Sequence, residues 1–201
     1  MQPDHPSSSS LPTQPAAAPA KASGAAYSVC TDSTLEVAQG QDVAVRMYGH
    51  KKTGHTSPVV VHFHGGAFMS GDLDSGCTVA SLLETAVAVV VSVAYPLTPF
   101  PQPVDTGYGV LKWVHKHRTK LGGQGAAVYL AGEEAGGNLA AAVALMARDQ
   151  SHPPLAGQIL LSPMLDPCVG TASLREATGD STGCKWTEGW RNFLRCPRDA
   201  E

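Results

Sequence analysis

The chain of 201 residues has few charged and few aromatic side chains. Charged residues make up 15% of it, aromatic residues make up 6%, and the formal net charge is −3. A chain without a positive excess gives no electrostatic basis for binding nucleic acid. No run of about 18 apolar residues is present, so we predict no membrane span. The N-terminus carries Asp4 and no apolar segment, which predicts that no secretory signal is present.

The cysteines and histidines show no metal-binding pattern. The five cysteines are odd in number and none forms a C-x-x-C pair, so we expect free thiols in a reducing compartment and a cytoplasmic protein. His62 and His64 lie two apart on a predicted strand and could face the same way as metal ligands. No third ligand is suggested nearby, so we predict neither a metal site nor a cofactor.

The order of apolar segments predicts one α/β domain behind a disordered tail. Residues 1–26 are rich in Pro, Ser and Ala and cannot bury enough surface to offset their ordering entropy. A hairpin around Gly40 is followed by strands that alternate with helices over residues 27–170. This order predicts a mostly parallel twisted sheet with helices on both faces. Within it, the nearly continuous apolar run Val59–His64 predicts a strand buried on both sides.

Two of the predicted helices are defined by apolar spacing. One lies between the strands at 59–64 and 87–94, and its stripe includes Leu82. The other lies in residues 171–201, where four apolar residues share one helical face. These four are Trp186, Trp190, Phe193 and Leu194.

A glycine-framed turn organises the chain. Residues 127–139 predict a short strand, a sharp turn and an alanine-rich helix, the frame in which a G-x-S-x-G elbow holds a nucleophile. Glu134 stands at the position of the serine, between Gly132 and Gly136. One strand-helix-strand unit earlier, Gly65 and Gly66 follow the strand that ends at His64. Glycines there form either a simple turn or an oxyanion hole, and their position before an elbow favours the oxyanion hole.

Four ordered motifs carry a family resemblance. They are His64-Gly65-Gly66-Ala67-Phe68, Tyr95-x-Leu97-x-Pro99, Gly132-x-x-Ala135-Gly136-Gly137-Asn138-Leu139 and the segment from Leu161 to Asp166. Over about residues 35–170 the chain resembles the hormone-sensitive-lipase-like group of α/β-hydrolases. The resemblance implies an α/β-hydrolase fold, hydrolysis of carboxylic esters as in carboxylesterases and lipases, and a small acyl ester or acyl-like ligand as partner.

The same resemblance assigns roles to single positions. It places the nucleophile at position 134 and an oxyanion hole at Gly66, Ala67 and Ala135. Supporting motif positions are His64, Gly65, Gly132 and Gly136. It also implies that the helix in residues 171–201 is part of a cap over the acyl pocket, whereas its amphipathic pattern alone predicts a packing helix.

The chain departs from the family pattern in two ways. Glu134 replaces the nucleophilic serine, and the only histidine after it is His152. An intervening helix of about 14 residues would carry His152 roughly 20 Å from the elbow, too far to act as its base. Asp166 could reach the cleft, but with no base to orient we expect it to make a loop or cap contact. We therefore expect the family's last strands, with their Asp and His, to be missing and the sheet edge to be left open for self-association.

Three functional hypotheses follow. The first is that the chain belongs to the carboxylesterase-like hydrolases but that its catalysis is impaired. The second is a pseudoenzyme that binds an acyl-like ligand or a protein partner. The third is a hydrolase that uses the Glu134 carboxylate as nucleophile and takes its base from elsewhere.

Overall fold

A computed structural model describes residues 30–38, 40–51, 53–86, 88–168, 171–172 and 181–195. The predicted disordered tail over residues 1–26 lies outside these described residues. Among them, no helix is both long and apolar enough to cross a membrane.

Within the described residues the sheet has six strands, in the order β1-β2-β4-β3-β5-β6. Their bounds are β1 Cys30–Ala38, β2 Gln41–Tyr48, β3 Val59–Phe63, β4 Val89–Val93, β5 Val128–Glu133 and β6 Gly157–Leu161. The first two form the predicted antiparallel hairpin, with Gly40 in a left-handed turn conformation at φ 74°. β2 pairs antiparallel with β4, and the β4–β3, β3–β5 and β5–β6 pairs are all parallel. The prediction of a mostly parallel α/β sheet is confirmed.

Helices cover both faces of this sheet. The bounds among the described residues are α1 Cys77–Thr85, α2 Gln102–Gly122, α3 Ala135–Asp149 and α4 Ser181–Leu194. α2 and α3 contact each other and share one face, whereas α1 packs on the opposite face against β2 and β4. Every residue of β3 and β4 is buried, because each of these two strands lies between other strands and under helices on both sides.

Two apolar residues that helical spacing predicted to be in the core are exposed. Leu82 of α1 is 66% exposed and Leu194 of α4 is 43% exposed, so both predictions are wrong. In α1 the buried position is Ala80, since the helix is short and approaches the sheet through small side chains. In the part of α4 whose side chains the structure describes, the buried apolar side chains are those of Trp190 and Phe193, and Leu194 lies in the last turn.

The carboxyl ends of the parallel strands point to one edge of the sheet. β3 ends at Phe63 and β5 ends at Glu133, and Phe63 pairs with Gly132 in the parallel register. The turns after these two strands are therefore neighbours, as expected for the ligand-binding end of an open parallel sheet.

Candidate functional site

The turn between β5 and α3 has a strained conformation at its tip. Glu134 precedes the first residue of α3 with φ 49° and ψ −114°. A non-glycine residue with positive φ costs on the order of 1–3 kcal/mol and persists only where neighbours impose it. Here the Glu134 N–H donates to the carbonyl of Leu161 (3.0 Å), and the Glu134 carbonyl accepts from the Met164 N–H (2.9 Å). The side-chain amide of Asn138 also donates to the Met164 carbonyl (2.9 Å). The segment after β6 therefore holds Glu134 in this conformation.

The glycines that frame the turn have no room for a side chain. A Cβ on Gly132 would overlap the carbonyl of Gly136, and a Cβ on Gly136 would overlap the carbonyls of Phe63 and His64. The turn is thus tight in itself and pressed against the end of β3. Of the three glycines predicted as motif support, Gly132 and Gly136 have no space for a Cβ, whereas the nearest atom to a Cβ on Gly65 would be 3.2 Å away.

The loop after β3 also has an unusual backbone. Gly66, Ala67 and Phe68 all have positive φ, at 116°, 52° and 60°. The N–H groups of Met69 and Ser70 both donate to the Gly66 carbonyl, which closes a compact turn. This turn directs the Gly66 N–H outward, toward the elbow.

The two turns meet through the side chain of Glu134. The Gly66 N–H donates to Oε2 of Glu134 at 3.1 Å. Within the described residues, the N–H groups of Ala67 and Ala135 make no hydrogen bond. Ala135 begins α3, where the first N–H groups have no partner within the helix and carry a partial positive charge.

A cavity opens beside this contact. Its volume is about 270 Å³, and it contains one carboxylate and one ammonium group. The lining residues are Gly66, Ala67, Met69, Ser70, Glu134, Lys185 and Trp186. No histidine is among these described lining residues.

Helix α4 forms one wall of this site. The backbone of Gly189 packs so closely on the carbonyl of Ala67 that a Cβ there would overlap it. Phe68 stacks on Phe193 at 4.2 Å between ring centroids and lies 5.3 Å from the ring of Trp190. The sequence left open whether this helix packs or forms a cap. Its aromatic face packs on the loop after β3, while Lys185 and Trp186 reach the cavity.

His62 belongs to a buried chain of hydrogen bonds that the sequence analysis missed. Its Nε2 lies 2.7 Å from Oε2 of Glu133 and its Nδ1 lies 3.0 Å from Oγ of Ser92. Because a carboxylate only accepts, Nε2–H donates to Glu133, and Nδ1 shares a hydrogen bond with the Ser92 hydroxyl. Both ring nitrogens are occupied, and His62 and Ser92 are fully buried. The sequence feature that could have indicated this contact is the presence of His62 on β3 together with Glu133, a second glutamate beside the elbow.

His64, two residues further along the chain, is held by contacts of its own. Its Nδ1–H donates to the carbonyl of Gly65 (2.7 Å), and its ring stacks on Tyr95 at 4.3 Å. The Tyr95 hydroxyl donates to the His64 carbonyl (2.8 Å). Burial lowers the pKa of His64 and raises the pKa of Tyr95. Among the described residues no three His, Cys, Asp or Glu side chains group as a metal site would require.

The two candidate partners of the elbow lie elsewhere. His152 follows the C-terminal end of α3, where its carbonyl accepts from the Tyr108 hydroxyl and its ring contacts His115. Asp166 is exposed and its carboxylate accepts the Cys168 N–H at 2.8 Å, a contact within its own loop. Both positions agree with the sequence-based expectations.

A strained turn at the end of a central parallel strand, framed by two glycines and facing a second glycine turn, defines a protein with an α/β-hydrolase fold. Comparison with known proteins agrees with this class. The family model described as alpha/beta hydrolase fold matches residues 60–200. The chain belongs to this family, and within it to the hormone-sensitive-lipase-like group of the esterases.

Its relatives include enzymes and a receptor. It is 40% identical to the carboxylesterase NlhH of Mycobacterium tuberculosis over 126 residues, which are 61% of this chain and 40% of that protein. It is 36% identical to the gibberellin receptor GID1C of Arabidopsis thaliana over 135 residues, 63% of this chain and 39% of the receptor. The crystal structure of esterase LipW from Mycobacterium marinum superposes with a TM-score of 0.74 and 32% identity, covering 88% of this chain and 57% of that one. The chain therefore spans about 40% of the length of these two curated relatives.

Proposed function

We propose that this chain is a member of the esterase group that does not hydrolyse carboxylic esters and uses the cavity at Glu134 to bind a small acyl-like ligand. The observation that carries the proposal is the hydrogen bond from the Gly66 N–H to the Glu134 carboxylate. The family resemblance assigns the Gly66 N–H to an oxyanion hole. In this chain that N–H already donates to the Glu134 carboxylate.

The energetics of this contact oppose ester hydrolysis. A hydrogen bond to a charged group stabilises a structure by about 1.5–3 kcal/mol, and an ester carbonyl would have to displace it. The developing oxyanion would also lie beside the negative Glu134 carboxylate, where like charges repel. Attack by that carboxylate on an ester would give an anhydride in place of the acyl-serine of a triad enzyme. Glu134 therefore lacks the chemistry of the serine and removes a donor that the reaction needs.

Both kinds of relative are compatible with the proposal. The carboxylesterase and esterase relatives support a ligand with an acyl group, and the gibberellin receptor relative supports a role in ligand binding.

Hydrolysis of p-nitrophenyl butyrate tests the proposal. The purified chain should release p-nitrophenol no faster than a heat-inactivated sample. Glu134→Ser alone should stay inactive, because no histidine lines the cavity among the described residues. Added imidazole should then give Glu134→Ser a saturable rate that the unmodified chain with imidazole does not show, since it supplies the missing base. Robust turnover by the unmodified chain that is lost in Glu134→Gln would overturn the proposal.

One observation supports a second candidate, a hydrolase with a carboxylate nucleophile. Oε2 of Glu134 is held by the Gly66 N–H, while Oε1 makes no hydrogen bond among the described residues. Such a carboxylate can attack the carbon of an alkyl halide. The C–O bond forms as the carbon–halogen bond breaks, and water attacking the resulting ester carbonyl regenerates Glu134. Release of halide from a short haloalkane, absent in Glu134→Gln, would favour this candidate, which needs a base from elsewhere.

A further inference from the structure

The cavity at the elbow carries two opposite charges. Glu134 provides a carboxylate and Lys185 of α4 provides an ammonium group. At about 270 Å³ the cavity is smaller than the roughly 300–1,000 Å³ that drug-sized ligands occupy, so its ligand is small.

These two charges do not neutralise each other. Among the described residues, no ion pair within 4.0 Å includes Lys185 or Glu134. Glu134 uses one oxygen to accept the Gly66 N–H, and its other oxygen makes no hydrogen bond among the described residues. Lys185 is exposed, and the two residues line the same cavity with their charged groups more than 4.0 Å apart.

Electrostatic complementarity selects the ligand that fills this gap. A simple carboxylate would pair with Lys185 but be repelled by Glu134, and a simple amine would pair with Glu134 but be repelled by Lys185. A molecule that carries both groups satisfies both.

We propose that the cavity binds a small amino acid, with its ammonium group on Glu134 and its carboxylate on Lys185. This inference rests on the proposed function, because it names the acyl-like ligand of the same site. The open N–H of Ala67, which lines the cavity, offers a further donor to the ligand carboxylate.

Calorimetric titration of the full chain at low ionic strength tests the proposal. The probes are glycine, β-alanine, 4-aminobutyrate and 5-aminopentanoate, with butyrate and butylamine as singly charged controls. We expect one amino acid to bind about tenfold more tightly than either control, and 150 mM salt to weaken it because Lys185 is exposed.

Three variants identify the two contacts. Glu134→Gln should weaken binding of that amino acid about tenfold, and Lys185→Gln should weaken it at least about threefold, since an exposed ion pair contributes less. The matched control is Lys116→Gln, an exposed lysine of α2 outside the cavity lining, and it should leave binding unchanged. Circular dichroism checks that each variant is folded.

Three results would overturn the proposal. They are no saturable binding of any amino acid, equal binding of butyrate or butylamine, and affinity that neither charge variant changes. Ester hydrolysis measured in the same samples distinguishes failure of the amino-acid proposal from failure of the proposed function. Turnover without amino-acid binding contradicts both proposals, whereas absence of both leaves the non-hydrolytic function standing and removes only the zwitterion ligand.

Discussion

The carboxylate of Glu134 accepts the backbone N–H of Gly66 across 3.1 Å, which joins the turn after β5 to the turn after β3. The two residues are 68 positions apart, and parallel pairing of β3 with β5 brings them together. In this chain the residue at the tip of the elbow thus accepts a hydrogen bond from the N–H group that the family resemblance assigns to substrate binding. The following predictions test how this site is built and what it does.

The tightness of the elbow predicts that Gly136 cannot be replaced. Gly136→Ala should lower the free energy of unfolding by at least about 3 kcal/mol, because its Cβ would overlap the carbonyls of Phe63 and His64. The matched control is Gly125→Ala, which has positive φ (75°) but open space around it and should cost about 1–2 kcal/mol. Urea unfolding measures both. A loss in Gly136→Ala that is no larger than the loss in Gly125→Ala would contradict the predicted overlap.

The buried His62 predicts a dependence on Glu133. Glu133→Ala should cost about 1–3 kcal/mol in the free energy of unfolding, because the His62 Nε2–H would lose its acceptor in the interior. Glu133→Gln keeps an acceptor oxygen at the same distance and should cost less. Chemical denaturation of the pair distinguishes them. If the two variants are equally stable, the hydrogen bond to His62 does not contribute.

The position of His64 predicts a pH dependence of stability. Burial lowers the pKa of His64 below its ordinary value of 6.5, so the unfolded chain takes up the proton more readily than the folded chain. The stability that the neutral ring contributes is therefore fully present above about pH 6.5 and decreases as the pH falls below it, down to the folded-state pKa. His64→Gln should flatten this decrease. Urea unfolding between pH 5 and 8 checks it, and an unchanged slope in the variant would contradict the assignment.

Among the described residues β6 pairs only with β5, and this edge position predicts self-association of the chain. Ile159 and Leu161 are 37% and 42% exposed on this edge strand, and an unpaired apolar edge favours pairing with another chain. Ile159→Lys should shift the chain toward monomer, whereas Leu145→Lys, an exposed position on α3, should not. Sedimentation velocity gives the distribution. A sharp monomer peak for the unmodified chain would contradict this prediction.

Most of the fold could be predicted because the controlling signals are local. The apolar β-branched run that ends at Phe63 defines a buried strand, and the glycines around position 134 define a turn. The exposure of Leu82 and Leu194 could not be predicted, because helical spacing gives a stripe but not the length of helix that the sheet covers.

The site was only partly predictable for a similar reason. The elbow and the glycine turn follow from motif spacing, and the position of His152 follows from helix length. The chain from Glu133 through His62 to Ser92 joins three strands or strand ends, and no local pattern specifies it. The presence of Lys185 and Glu134 in the lining of one cavity depends on how α4 packs against Phe68, which is a tertiary contact between aromatic side chains.

The most direct measurement of the central claim is the amide resonance of Gly66 in a ¹⁵N-labelled sample. A hydrogen bond to a carboxylate should shift its proton downfield and slow its exchange with solvent. Glu134→Ala should reverse both effects, while Glu36→Ala, on the distant strand β1, should leave them unchanged. A Gly66 amide that exchanges like an exposed loop residue and does not respond to Glu134→Ala would contradict the account.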